Sequence, residues 1–170
     1  GGTLRVESAV GKGSVFLVTI PFERAASTPY LPPDLARLAG KRVLIADDEK
    51  DARLILSSIL RGFGLRPDFV DSGEKALEAI TAADREKKPY SILLLDYRMP
   101  GMNGIETLRS LDLLHLSQAP AVILATAYGS ELKASYPFEK RLPSILTKPV
   151  TPSKLREALL SAVSDFAASP

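Results

Sequence analysis

The sequence predicts an α/β protein: a (βα)5 doubly wound parallel sheet of five strands in the order 2-1-3-4-5, preceded by a β-hairpin. Three observations point there. From residue 41 onward, short apolar runs alternate with amphipathic stretches of helical period. The run Ile92 to Leu95 is continuous rather than alternating, as in a strand buried on both faces. The stretches between the runs are long enough to cross a sheet and start a parallel neighbour.

The elements follow in order. Thr3 to Ser8 and Ser14 to Ile20 alternate apolar and polar residues, and the turn Val10-Gly11-Lys12-Gly13 separates them, so Gly1 to Glu23 reads as a hairpin. A lone hairpin is marginally stable in water, which makes this segment the edge of a larger domain. Arg24 to Gly40 carries Ala-Ala-Ser-Thr-Pro and Leu-Pro-Pro and reads as a linker, with a short helical turn over Asp34 to Leu38. Val43 to Ala46 is the first strand of the sheet and runs into Asp47-Asp48. Glu49 to Phe63 is helical, with Ala52, Ile55, Leu56, Ile59, Leu60 and Phe63 as its apolar stripe and Gly62 and Gly64 as its stop. Leu65 to Val70 is the second strand, and Asp71-Ser72-Gly73-Glu74 opens the next helix with a side-chain cap. Ile92 to Leu95 is the third strand, followed by the loop Tyr97 to Gly104 and a helix through Leu111. Ala121 to Ala125 and Ser144 to Leu146 are the fourth and fifth strands. Thr151 caps a last helix with Pro152 at its first position and Leu155, Leu159, Val163 and Phe166 as its stripe.

Composition narrows the function. The formal net charge is +2 and no basic run or aromatic-interleaved patch occurs, so nucleic acid is not an expected partner. There is no cysteine and one histidine, His115, which rules out disulfide frameworks, thiolate metal sites and histidine-rich ones. No apolar run approaches the roughly 18 residues that span a bilayer, and no signal peptide opens the chain. The expectation is a cytoplasmic domain without direct membrane contact, compatible with a larger, membrane-anchored parent.

In a sheet of this kind, sites lie beyond the carboxyl ends of the strands. Asp47 and Asp48 end the first strand, Asp96 the third, Thr126 the fourth and Lys148 the fifth. Two like charges 4 Å apart cost roughly 4 kcal/mol at an effective dielectric of about 20, so such a carboxylate cluster binds a proton or a cation. An all-oxygen ligand set alongside phosphate chemistry suits Mg²⁺. Lys148 supplies a point positive charge and Thr126 a hydroxyl donor, and Asp96 between them can act as a nucleophile, giving an acyl phosphate. Each residue alone has an ordinary explanation as a helix cap, turn or solvated loop; the conjunction at one rim carries the reading.

These residues bear a family resemblance. Leu44-Ile45-Ala46-Asp47-Asp48-Glu49, Leu94-Leu95-Asp96-Tyr97-Arg98-Met99-Pro100-Gly101-Met102-Asn103-Gly104, Ala125-Thr126-Ala127 and Thr147-Lys148-Pro149 resemble the receiver domain of two-component response regulators, a CheY-like, flavodoxin-like fold, over residues 41–168. The resemblance implies that Asp47, Asp48, Asp96 and the backbone carbonyl of Arg98 hold Mg²⁺. It also implies that Asp96 takes a phosphoryl group from a phosphohistidine, that Thr126 swings towards it, that Lys148 pairs with it, and that the bond before Pro149 is cis. The chain departs from the family at Ile145, where receivers often carry Tyr or Phe. Gly1 to Ser8 and Gly11 to Phe16, ending at Pro21, resemble the last strands of a histidine-kinase ATPase domain. The nucleotide boxes of that domain are absent, and His115 lies in Leu113-Leu114-His115-Leu116 without the glutamate of a phosphoacceptor box.

The leading expectation is thus the receiver of a hybrid sensor histidine kinase. It would accept from a kinase phosphohistidine, in cis or in trans, and pass the group to a histidine-phosphotransfer protein. The fragment itself is not expected to be a kinase. The alternative is an intramolecular regulatory module controlling its own kinase. A small phosphohydrolase ranks lower, because Arg98 stands where such sites place an acid two residues past the nucleophile. A partner is expected to dock at Leu54, beside Arg53, Ser57 and Ser58. Arg98 and Tyr128, two residues past Asp96 and Thr126, are expected to shield the acyl phosphate from water.

Overall fold

The computed structural model describes residues 2–22, 33–127 and 144–167, and for 164–167 the backbone only. Within these, β1 (Thr3–Ala9) and β2 (Gly13–Thr19) form an antiparallel hairpin in which Val6 pairs with Phe16. Gly11 and Gly13 supply the positive φ angles of its turn, 77° and 86°. Every residue of both strands is exposed. A 3-10 helix spans Pro33–Leu38.

The second sheet is built from β3 (Arg42–Ala46), β4 (Arg66–Val70), β5 (Ile92–Asp96), β6 (Ala121–Thr126) and β7 (Ser144–Thr147), ordered β4-β3-β5-β6-β7 with every pairing parallel. This is the expected 2-1-3-4-5 order. The helices are α1 (Lys50–Gly62), α2 (Gly73–Arg85), α3 (Gly104–Asp112) and α4 (Pro152–Ala167). A crossover helix between β6 and β7 would fall in 128–143, outside the described residues, as do Tyr128 and the side chain of Phe166.

The period-2 alternation of side chains divides the core in two. Val43, Ile45, Ile92, Leu94 and Ile123 face Leu56, Leu60, Leu155 and Leu159 of α1 and α4. Leu44, Leu93, Leu95, Val122 and Leu124 face Ala76, Ile80 and Leu108 of α2 and α3. All five residues of β5 are buried, as are all six of β6, so the nucleophile candidate sits at the end of a fully enclosed strand. Burying each large aliphatic side chain contributes about 1.5–3 kcal/mol, which makes the central strands a stiff base for the rim.

Two details differ from the sequence reading. Leu35 and Leu38, in the segment read as linker, are buried in the α1/α4 core, and Asp34 forks onto Arg156 of α4. On α1, Ile55 is 57% exposed whereas Ser57 is buried. At about 100° per residue the buried face centres between Leu56 and Leu60, which carries Ile55 out and Ser57 in. Of the stripe read from apolar residues, Leu56, Ile59, Leu60 and Phe63 pack on the core and Ala52 is partly buried; Ile55 alone falls outside it.

Close approach at the rim demands glycine at residue 104. A Cβ there would lie 2.5 Å from the Asp96 carbonyl oxygen and 3.0 Å from Leu124 Cδ1. Gly104→Ala is therefore expected to cost about 2 kcal/mol, lowering the melting temperature by roughly 4–8 °C in thermal denaturation followed by circular dichroism. Gly62→Ala, where a Cβ meets nothing within 4 Å, serves as the control. Equal melting of the two variants would contradict the packing argument.

Candidate functional site

The strand ends deliver the rim. β3 hands the chain to Asp47 and Asp48, β5 ends in Asp96, β6 in Thr126, and Lys148 follows β7. Register aligns them: Ala46 pairs with Leu95, Asp96 with Ala125, and Thr126 with Thr147. Backbone bonds extend the alignment beyond the strands, from Tyr97 N–H to the Ala125 carbonyl at 2.9 Å and from Lys148 N–H to the Thr126 carbonyl at 2.8 Å. Asp47, Asp96 and Thr126 are buried and Asp48 is exposed, so the cluster opens to solvent on one side. The carboxylate oxygens of Asp47, Asp48 and Asp96 come within 4.8 Å of one another. Lys148 Nζ lies 2.9 Å from Asp96 Oδ1 and 3.4 Å from Asp47 Oδ2. The Lys148–Pro149 peptide is cis.

Burial is the largest influence on the Asp96 carboxyl and raises its pKa; the charge of Asp47 adds to this while Lys148 opposes it. Burial pulls Lys148 down, but its bond and attraction to Asp96, then the attraction of Asp47, outweigh that and leave it raised. The rim thus keeps a cationic ammonium and a carboxylate that ionises reluctantly. A hard cation among the three carboxylates would relieve that reluctance, and the exposed edge at Asp48 gives it a way in. The oxygen-only donor set fits Mg²⁺ chemistry.

Two loops bear this cluster, and each is held by a neighbouring helix. Arg53 of α1 donates through Nη1 to the carbonyls of Asp47 at 2.6 Å and Asp48 at 2.9 Å. The Glu49 amide donates back to Asp47 Oδ1 at 2.9 Å. On the other side, Glu74 of α2 accepts from the Met102 amide at 3.1 Å, and Asn103 and Glu106 form a capping box at the start of α3. Sequence reading took Glu74 only as part of a helix start and Arg53 only as a surface neighbour. A signal for Arg53 existed: a cation near the start of a helix works against the macrodipole and asks for a local acceptor.

The remaining candidates are placed as follows. Arg98 is exposed and lines an open groove with Asp48, Tyr97, Met99, Pro100 and Asn103. Ile145 is half-buried against the core shared with α2 and α3. His115 lies exposed in the loop after α3.

The family model of the response regulator receiver domain matches residues 43–160. This chain belongs to the receiver domain family. The autoinducer 2 sensor kinase/phosphatase LuxQ of Vibrio cholerae serotype O1 is 32% identical over 167 residues, covering 93% of this chain and 19% of that protein. The receiver thus spans about a fifth of that relative's length. A solved sensor protein from Polaromonas sp. JS666 is 25% identical, with a TM-score of 0.65 over 74% of this chain and 98% of that one. The receiver domain of sensor histidine kinase PA1611 from Pseudomonas aeruginosa PAO1, solved with a magnesium ion coordinated in its active site cleft, shares the fold. Its identity is 22% and its TM-score 0.60, over 74% of this chain and 99% of that one.

The raised Asp96 pKa has a consequence for stability. A carboxyl that holds its proton more tightly folded than unfolded weakens the fold as pH climbs from about 4 through the folded pKa. Asp96→Asn is therefore expected to raise the melting temperature in metal-free buffer at neutral pH. It is also expected to flatten the decline of stability across that pH range. A variant that melts below the wild type at neutral pH would show that the Lys148 contact outweighs desolvation.

Proposed function

We propose that this receiver accepts a phosphoryl group from a phosphohistidine onto Asp96 and passes it to a histidine-phosphotransfer partner. The observation that carries the reading is the seat of Asp96, buried between Asp47 and Lys148 with Lys148 Nζ 2.9 Å from its Oδ1. An Asp96 oxygen attacks phosphorus as the donor's N–P bond breaks, the departing imidazole nitrogen keeping the electron pair. Lys148 compensates charge on Asp96 and on the transferring oxygens, and the Thr126 hydroxyl donates to the same oxygens. Asp47, Asp48, Asp96 and the Arg98 carbonyl would hold Mg²⁺, which when bound neutralises the negative charge gathered on the phosphoryl oxygens. Arg98 bordering the groove is compatible with shielding of the acyl phosphate; Tyr128, the other proposed shield, lies outside the described residues.

The parent is read as a hybrid sensor kinase in the cytoplasm, with residues 1–23 as the end of its ATPase domain, 24–40 as connector and 41–168 as receiver. An alignment covering 93% of the chain reaches back into residues 1–40, which supports that arrangement. Among the described residues no helix is long and apolar enough to cross a membrane. The regulatory alternative draws on the connector: Leu35 and Leu38 are buried against the core and Asp34 forks onto Arg156, tying the chain that leads to the hairpin to the helix that follows Lys148.

Incubation with a small acyl phosphate or phosphoramidate is expected to give base-labile label in the wild type, at least tenfold less in EDTA, and none in Asp96→Asn. Label that survives in the variant would move the acceptor elsewhere.

The partner face is read at α1, where Leu54 and Ile55 are 52% and 57% exposed. Leu54→Asp is expected to slow transfer from a phosphohistidine donor about tenfold, equal to about 1.4 kcal/mol, with small-molecule labelling unchanged. Equal slowing of both reactions would mean a damaged fold rather than a docking surface.

A further inference from the structure

We infer that Arg53 is a positioning residue for cation binding: by gripping the backbone carbonyls of Asp47 and Asp48 it aims the two carboxylates of the acidic loop. The inference rests on the proposed Mg²⁺ site. The Asp47 N–H makes the last bond to the sheet, to the Val70 carbonyl at 3.3 Å, and Asp48 stands past it, so the ladder holds the acidic loop at one end only. Arg53 holds it from the carbonyl side. Its Nη1 bonds both carbonyls, at 2.6 and 2.9 Å, and its guanidinium lies 6.0 Å from the centre of the Phe69 ring on β4. The side chain therefore braces the loop against α1 and the sheet edge together. With the carbonyls held, Asp47 Oδ1 accepts from the Glu49 amide, leaving Oδ2 towards Lys148 and the cluster. The Arg53 grip on the backbone and the Glu49 amide on the carboxylate together fix the plane of the Asp47 carboxylate, one oxygen turned to the loop and the other to the cluster.

Charge and geometry act in opposite directions here, which makes the inference decidable. A cation so close to a metal site repels the metal, so by charge alone its removal would tighten binding. By geometry its removal frees the loop and loosens binding, and loss of an orienting partner behind metal ligands typically costs 10–100-fold in affinity.

The experiment is calorimetric titration of Mg²⁺ into wild type, Arg53→Met and Arg53→Lys, with melting temperatures in EDTA measured alongside. Arg53→Met is expected to bind Mg²⁺ about tenfold more weakly, and Arg53→Lys to fall between the two. In metal-free protein, hydrogen exchange at the Glu49 amide is expected to speed several-fold in Arg53→Met while the Leu94 amide in β5 keeps its protection. Unchanged or tighter Mg²⁺ binding by Arg53→Met overturns the positioning role. If Arg53→Met does not fold, Arg53→Lys decides: wild-type affinity and wild-type Glu49 exchange overturn the role, and loss of both supports it. Absence of Mg²⁺ binding by the wild type would instead sink the metal site itself, a failure distinguishable because no variant comparison is then involved.

Discussion

The structure depends on crowding like charges. Three carboxylates whose oxygens lie within 4.8 Å, two of them on buried residues, oppose folding on their own account. The fold tolerates them because Lys148 arrives from a strand two places away and because Asp48 leaves one side of the cluster wet. The cost is also the chemical asset. A site that is incompletely compensated at rest has an electrostatic appetite for a divalent cation and for the charge distribution of a phosphoryl group in transit. Full neutralisation by a second lysine would make a more stable domain with less reason to bind either.

Such a cluster is useful only if its geometry is stiff, and stiffness comes from two sources. The first is the sheet. β5 is buried along its whole length and hydrogen-bonded to a parallel neighbour on each side, so Asp96 has little freedom. The second is a set of grips on the loops that leave the ladder. Arg53 holds Asp47 and Asp48, Glu74 holds Met102, and Gly104 lets α3 start against the Asp96 carbonyl. Each grip comes from an element other than the strand whose loop it holds. The rim is therefore a property of the assembled α/β layers rather than of any one motif.

Leu54 and Ile55 directly follow Arg53 on α1, so a partner seated there would meet the helix that braces the acidic loop. The 3-10 helix at residues 33–38 anchors on α4, which begins four residues after Lys148. Entry to the domain from the hairpin side and the last residue of the rim thus share one helix.

Much of this was legible in the sequence, and the reasons are local. Apolar runs alternating with amphipathic stretches mark a parallel sheet, and the order expected of five β–α units is the one the structure has. Asp47, Asp48, Asp96, Thr126 and Lys148 each fall at a strand end, and the rule that sites gather at carboxyl ends brought them together before any coordinates did. Periodicity phased α1 but could not place every residue, because a buried serine and an exposed isoleucine break the equation of apolar with inside; packing against the sheet decided that Ser57 goes in and Ile55 out. Nor could it show that Leu35 and Leu38, beside a proline-rich stretch, would find a groove against α4. Residue identity and spacing determined which polar groups gather and on which rim. The tertiary structure alone decided which side chains hold that rim still, because a grip such as Arg53 on two carbonyls is a relation in space with no periodic signature along the chain.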